Sequence, residues 1–442
     1  MKNLKTFPKG GVHPHDQKRL SEDEPIRNAV IPSLSVVPLL QHLGSPAEPV
    51  VKAGDKVAEG TLLGKSKGFV SAQVHSPVPG TVKELREIYL PTGIKSLAVV
   101  IELEGEFDRL GKKQSSFNWE ALEPKALLDI IIDMGIVGLG GAAFPTHVKF
   151  SIPRQSKIEY FVVNGAECEP YLTSDYRLML EKPREILNGI RVIRKILNTD
   201  EIIIGIEENK PAAIEIMEKT ASSSDLPIQV VPLALKYPQG DEKQLLKALI
   251  GREVPSGGLP LDIGAVVSNV GTVFAIYEAV FLQKPLIERI VTVSGGAIKN
   301  PANLKARVGT PIGSLIAECG GFTSVPKKLL IGGPMMGFAA FDLDMPVTKG
   351  TSGVLALTAE EVNSSRQTAC LGCGRCLVHC PMGLNPTRLF KVIDHLNYDT
   401  ALKEGLMDCK ECGCCAFVCP AYIPLVQAMK LGKRMGKQKV TT

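Results

Sequence analysis

Cys370-Leu371-Gly372-Cys373-Gly374-Arg375-Cys376-Leu377-Val378-His379-Cys380-Pro381 recurs as Cys409-Lys410-Glu411-Cys412-Gly413-Cys414-Cys415-Ala416-Phe417-Val418-Cys419-Pro420. Both runs read Cys-x2-Cys-x2-Cys-x3-Cys-Pro, the spacing that holds paired [4Fe–4S] clusters, in which the cysteine before proline turns away from its own run to the other cluster. The pattern therefore assigns one cluster to Cys370, Cys373, Cys376 and Cys419, and the other to Cys409, Cys412, Cys415 and Cys380. Zinc is the simpler alternative, but zinc sites favour separated pairs over three-plus-one runs. A disulfide framework belongs to short chains in oxidising compartments. Residues 362–432 thus read as a helical electron-carrying unit.

The rest of the chain is long enough for about three domains. Its 442 residues are 44% hydrophobic and 22% charged, as in ordinary soluble proteins. Aromatic content is 5% with a single tryptophan, Trp119, which argues against stacking on nucleic acid. A net charge of +5 decides little, but residues 430–442 hold Lys430, Lys433, Arg434, Lys437 and Lys439 and no acid. Such a tail suits an anionic lipid surface, an acidic redox partner or a solvated terminus. The first ten residues lack the apolar core of a signal peptide. The most apolar stretch, residues 126–144, is broken by Asp129, Asp133 and several glycines, so no bilayer-spanning helix is expected. The expectation is a cytosolic protein, at most peripheral to a membrane.

Residues 1–105 read as β. Period-two alternation around 50–60 and again at 74–82 is punctuated by Gly-Asp and Pro-Gly turns. These segments resemble the flattened barrel-sandwich hybrid of biotinyl and lipoyl carriers, without a lysine at a hairpin tip. Residues 107–124, with Lys112, Lys113, Gln114, Ser115 and Ser116, suit a linker. From 125 to 283 short β-branched runs at 160–164 and 202–206 alternate with helices at 183–197, 241–250 and 273–282, an α/β pattern with mostly parallel strands. Residues 286–350 read as a smaller α+β unit with strands at 289–294 and 328–331. In the cysteine-rich unit Asn385 caps a helix opened by Pro386, with Leu389, Val392, Ile393 and Leu396 as one stripe.

Four loops of the α/β unit carry its chemistry. Gly138-Leu139-Gly140-Gly141-Ala142-Ala143-Phe144-Pro145-Thr146-His147-Val148-Lys149 lets backbone amides approach a phosphate, with Lys149 as a point charge. Asn164-Gly165-Ala166-Glu167-Cys168-Glu169-Pro170 follows a strand, where ligands of such sheets lie. Tyr237-Pro238-Gln239-Gly240-Asp241-Glu242 and Asn269-Val270-Gly271-Thr272 occupy equivalent places.

Taken together, the four loops resemble the NADH- and FMN-binding flavoprotein of respiratory complex I, which has them in the same order. The resemblance implies that Gly138, Gly140, Gly141, Lys149, Asn164, Asn269 and Thr272 hold the flavin. It implies that Phe144, Glu167, Glu169, Tyr237 and Glu242 shape the flavin–nicotinamide stack, with Glu169 and Phe144 as the catalytic candidates. Leu139 stands where that family commonly has arginine, Ala166 where it has an acid, and His147 where it has glycine. Adding Phe7-x2-Gly10-Gly11-Val12-His13-Pro14, the carrier-like domain and the paired cysteine runs, the whole chain is similar to the RnfC family of Rnf electron-transport complexes. That implies a barrel-sandwich hybrid, a Rossmann-like FMN/NADH domain, a soluble-ligand-binding β-grasp domain and a ferredoxin-type dicluster domain. It implies FMN, two [4Fe–4S] clusters and NADH as substrate, with other Rnf subunits, and ferredoxin through them, as partners at the cytoplasmic face of a bacterial inner membrane. Two other readings stay open: a flavin/iron–sulfur cobalamin reductase of microcompartments, and an electron-relay scaffold without nucleotide binding. Cys168, Cys319 and Cys414 read as packed thiols, and His379 as a group that tunes or packs beside the clusters.

Overall fold

The computed structural model describes residues 4–107, 117–153 and 155–440, with side chains through residue 436. The expected linker residues Lys112 to Ser116 lie outside the described residues.

The first unit is a sandwich of two antiparallel sheets. One has the order Leu34–Pro38, Lys95–Leu103, Gly80–Tyr89, Lys56–Val57; the other is Glu48–Pro49, Leu62–Lys65, Val74–His75. Alternation sends Val37, Leu63, Val74, Val82, Val99 and Ile101 into the space between them, as expected for two sheets packed face to face. Residues 4–28 do not join this sandwich. Lys5 bridges to Leu233 and Val12 to Tyr237 in the second unit, and Ile26–Asn28 adds a parallel edge strand to the third.

The second unit is a parallel four-stranded sheet, ordered Ile228–Leu233, Glu201–Glu207, Tyr160–Asn164, Ala265–Asn269. Both faces are covered, which is why its strands read as continuous apolar runs. Phe161 and Val163 face a core shared with Pro183–Leu197 and Val270–Phe281, while Val162 faces Leu245, Leu246 and Leu249 of Glu242–Ile250. The helix Pro183–Leu197 packs so closely that a Cβ at Gly189 would lie 2.1 Å from the Val273 carbonyl oxygen. Any side chain there would separate the two helices.

The third unit is a mixed six-stranded sheet ordered Ile26–Asn28, Ala302–Arg307, Glu288–Ser294, Gly353–Leu357, Lys328–Ile331, Phe338–Ala339. The sequence reading ends this unit at residue 350, yet the wholly buried strand Gly353–Leu357 lies in the middle of the sheet. The last unit holds the helices Arg375–Val378, Pro386–Asp394, Tyr398–Lys403, Cys414–Phe417 and Leu425–Val440. Asn385 accepts from the Arg388 amide at 3.0 Å and Pro386 sits in the first turn, as expected. Leu389 and Ile393 are buried, but Leu396 leaves the expected stripe. The helix stops at Asp394, and Leu396, with φ of 56°, points into solvent.

A charged junction ties the units together. Lys284, 3% exposed, pairs with Glu278 at 2.8 Å and with Glu288. Lys305 and Arg307 also reach Glu288, at 3.0 and 3.3 Å, and Arg307 pairs with Glu59 of the sandwich. Among the described residues, no helix is long and apolar enough to cross a membrane.

Candidate functional site

The parallel register sets Asn164 beside Asn269 at the carboxyl ends of adjacent strands. Asn269 caps Val270–Phe281: its side-chain oxygen accepts from the Gly271 and Thr272 amides at 2.9 and 3.3 Å, and its Nδ2 donates to Asp175 at 2.7 Å. Thr272 Oγ1 in turn accepts from the Leu139 amide at 2.8 Å, while Arg289 donates to the Leu139 carbonyl at 3.1 Å. The glycine loop is thus pinned on both sides of Leu139. The Gly138 amide closes the loop on the Phe144 carbonyl at 2.8 Å. Gly141, with φ of 107°, faces open space, and a Cβ on Gly140 would lie 3.3 Å from Asn269. Bare backbone, a helix N-terminus and its capping asparagine converge here, the arrangement that favours a phosphate.

Lys149 stands nearby, half-buried, donating to Glu242 at 2.6 Å and to the Val267 carbonyl at 3.0 Å. Asn164 donates to the Gly240 carbonyl at 2.9 Å and accepts from the Ala166 amide at 3.1 Å, joining the second loop to the third. The two loop carboxylates are engaged by protein amides. Glu167 accepts from Asp175 and Tyr176 at 2.7 and 3.2 Å, at the start of Ser174–Glu181. Burial still pushes its carboxyl up from the usual range. Glu169 accepts from Met335 and Met336 of the third unit at 3.0 and 2.8 Å, and burial pushes it up to about 7. Tyr237, 2% exposed, turns its hydroxyl to the Cys412 carbonyl at 2.8 Å. Phe144 is half-buried at the end of the glycine loop. The structure therefore gathers Gly138, Gly140, Gly141, Asn269 and Thr272 at one end of the sheet. It places Glu169 and Tyr237 where the second unit meets the third and fourth.

Three contributors escape the sequence reading. Lys18 donates to the Glu167, Glu169 and Leu172 carbonyls at 3.0, 3.1 and 2.5 Å. Lys210 donates to the Ala166 carbonyl at 2.7 Å and to Glu207 at 3.2 Å. Arg289 comes from the third unit. Lys18 and Lys210 lie in polar stretches that read as surface, and Arg289 opens a strand in which a cation gives no sign of a role; only the tertiary fold buries all three.

The cysteines divide across the runs. Cys380, Cys409, Cys412 and Cys415 line one hollow with Pro381, Leu389 and Met429. Cys370, Cys373, Cys376 and Cys419 line another with Phe390, Pro420 and Ile423. Among the described residues, no three His, Cys, Asp or Glu side chains converge as ligands of a single ion. Each hollow collects cysteines from both runs, a thiol-rich donor set of the kind that ligates an iron–sulfur cluster. The first hollow abuts the α/β unit, where Gln244 donates to the Pro381 carbonyl at 3.4 Å, and the N-terminal segment lies alongside, the Gly11 amide donating to the His379 carbonyl at 3.0 Å. The second is more open, with Cys370 and Cys373 exposed. Cys414 is fully buried, its thiol 3.9 Å from the Tyr237 carbonyl. The basic tail is not wholly free. Lys433 pairs with Glu411 at 2.7 Å and donates to the Cys409 carbonyl, and Lys430 lies over the Phe338 ring.

A sandwich, a doubly covered parallel sheet with a glycine-loop site, a second mixed sheet and a cysteine-lined helical unit define a multidomain redox architecture. A chain of an NAD+-reducing [NiFe]-hydrogenase in its H2-reduced state shares the fold at a TM-score of 0.50 and 17% identity, over 71% of this chain and 61% of that one. Family models match in order: the RnfC barrel sandwich hybrid domain over residues 5–106, the Nuo51 FMN-binding domain over 131–278 and the SLBB domain over 290–339. The C subunit of the proton-translocating ferredoxin:NAD(+) oxidoreductase complex of Clostridium ljungdahlii is 50% identical, over 87% of this chain and 84% of that one. The C subunit of the Na(+)-translocating ferredoxin:NAD(+) oxidoreductase complex of Acetobacterium woodii is 42% identical over 96% of both chains. The chain belongs to the RnfC family of ion-translocating ferredoxin:NAD(+) oxidoreductase (Rnf) complexes.

Proposed function

We propose that the chain is the electron-input subunit of a membrane-bound, ion-translocating NADH:ferredoxin oxidoreductase. It passes electrons between NADH, FMN, two [4Fe–4S] clusters and partner subunits while lying peripherally at the cytoplasmic face of the bacterial inner membrane. The observation that carries this reading is the seam between the α/β unit and the cysteine-lined hollow of the second run. There Tyr237, in a site loop, bonds to the backbone of Cys412. When bound, FMN supplies the exchange between the two electrons of NADH and the single electrons that a [4Fe–4S] cluster carries.

The chain's own groups fit that cofactor. The glycine loop and the Asn269 cap would hold its phosphate end, with Lys149 adding charge. Asn164, by joining two loops, would fix the far side of the cleft. Glu169 and Tyr237 hold the cleft rigidly against the neighbouring units. Cys380, Cys409, Cys412 and Cys415 would ligate the cluster next to the flavin. Cys370, Cys373, Cys376 and Cys419 would ligate the outer one, whose exposed ligands suit electron transfer to a partner. High identity to Rnf proteins over nearly the whole chain favours this reading over a corrinoid reductase.

Flavin binding separates the reading from a pure relay. Flavin-free protein titrated with FMN is expected to quench the flavin's fluorescence to a one-to-one end point. Lys149→Met, which deletes a charge-assisted contact of about 1.5–3 kcal/mol, should weaken binding by roughly tenfold or more. No binding by the wild-type protein would leave the relay reading; equal binding by the variant would remove Lys149 from the site.

A further inference from the structure

The loop after Tyr160–Asn164 is held from one side by two buried ammonium groups. Lys210 takes the Ala166 carbonyl, and Lys18, carried in by the N-terminal segment, takes those of Glu167, Glu169 and Leu172. Lys18 thus places its three donors on three neutral oxygens. Both side chains are almost fully buried, at 3% and 1% exposed. Burial, reinforced by the charge of Lys210, pushes Lys18 below its ordinary range, and Glu167 and Glu207 pull it back up.

In a trans peptide the carbonyl of one residue and the N–H of the next point in opposite directions. With the Ala166 and Glu167 carbonyls drawn toward the lysines, the amides of Glu167 and Cys168 face away from them. Neither amide has an acceptor among the described residues. Glu167 also adopts φ of 47°, the left-handed conformation that alternates with the right-handed one where successive amides form an anion-binding concavity. Two adjacent donors at the carboxyl end of a parallel strand, backed by the buried ammonium groups of Lys18 and of Lys210, the latter paired with Glu207 at 3.2 Å, form a cradle for an electron-rich group.

We infer that Lys18 and Lys210 are positioning residues for the bound flavin: they orient the Glu167 and Cys168 amides toward the electron-rich edge of its ring and favour its reduced form. The inference rests on the FMN reading above and adds a contribution from outside the matched FMN-binding domain, because Lys18 belongs to the N-terminal segment. A neutral donor would satisfy the same carbonyls, whereas burying an ammonium is costly. Glu207 pairs with Lys210, whereas Lys18 meets only carbonyl oxygens and so presents its charge through the peptide groups to the ligand.

The test is the midpoint potential of bound FMN in the full, reconstituted chain, for wild type, Lys18→Met and Lys210→Met, with FMN affinity measured alongside. Both variants are expected to bind FMN roughly tenfold more weakly and to shift the potential of the FMN that remains bound downward. A merely structural role would lower retention and leave that potential in place, and this result would overturn the inference. So would unchanged potential and affinity. If Lys18→Met does not fold, Lys210→Met carries the same readout. Failure of wild-type protein to bind FMN would overturn the underlying reading instead, so the two failures are distinct.

Discussion

Replacing Cys380 with alanine is expected to remove the cluster of the other cysteine run rather than that of its own. Cys380 shares its hollow with Cys409, Cys412 and Cys415, whereas Cys419 completes the hollow of Cys370, Cys373 and Cys376. Its placement is enforced from outside. Gly10, with φ of 62°, packs so near that a Cβ there would sit 2.6 Å from the Cys380 carbonyl carbon. Losing one of four thiolates opens a cubane cluster to solvent and loss. Cys380→Ala should therefore keep about half the iron, with the surviving cluster in the open hollow, away from the Tyr237 seam. Cys419→Ala should give the mirror image and retain the cluster beside the seam. Iron analysis and EPR of the dithionite-reduced proteins read this directly. NADH should reduce the surviving cluster fast in Cys419→Ala and slowly in Cys380→Ala. The reverse assignment of surviving clusters would mean that each run ligates its own.

The second large effect is on stability. Lys284→Met should destabilise the protein by about 3–5 kcal/mol, the usual cost of unpairing buried charge. Lys284 is nearly inaccessible, and its two partners are 14% and 13% exposed. Lys305 and Arg307 compensate in part at Glu288 but reach Glu278 only at 3.9 Å or not at all. Chemical denaturation at neutral pH measures the loss. The same cluster predicts an acid response. Burial by itself would raise the Glu288 carboxyl, but Lys284, Lys305 and Arg307 outweigh it and hold it down at about 2. A carboxyl held below its unfolded value stabilises the fold above that value, so this contribution is complete above about pH 4.5 and fades as pH falls toward 2. In Lys284→Met, stability should depend less steeply on pH across that window. An unchanged slope would show that Lys284 does not hold the Glu288 carboxyl down.

Much of the architecture is legible because burial on both faces leaves a plain signal. The strands Tyr160–Asn164 and Lys328–Ile331 and the helix Pro183–Leu197 begin and end where apolar runs, proline and periodicity place them. The glycine loop and the two asparagines are legible for a related reason: caps and close backbone approaches demand particular residues. What escapes the sequence is non-local. Residues 4–28 read as part of the sandwich, yet their partners lie hundreds of positions away in two other units. The strand Gly353–Leu357 is central, but it follows the loop that seemed to close its unit. Lys18 and Lys210 look like surface cations, and Arg289 like the ordinary start of a strand, until three-dimensional packing removes them from water. The two loop glutamates have the residue type of a reacting group, while their oxygens are held by amides from Ser174–Glu181 and the 335–336 turn. A side chain's partners across an interface leave no local pattern.

On the proposed function, electrons enter at the glycine-loop site and cross the Tyr237 seam into the cysteine-lined unit. Anaerobic titration of the full chain with NADH, after reconstitution with iron, sulfide and FMN, tests it most directly under combined visible and EPR spectroscopy. The flavin is expected to bleach first, with reduced [4Fe–4S] signals growing in after it. Clusters that dithionite reduces but NADH leaves untouched, in protein that retains no flavin, would contradict it.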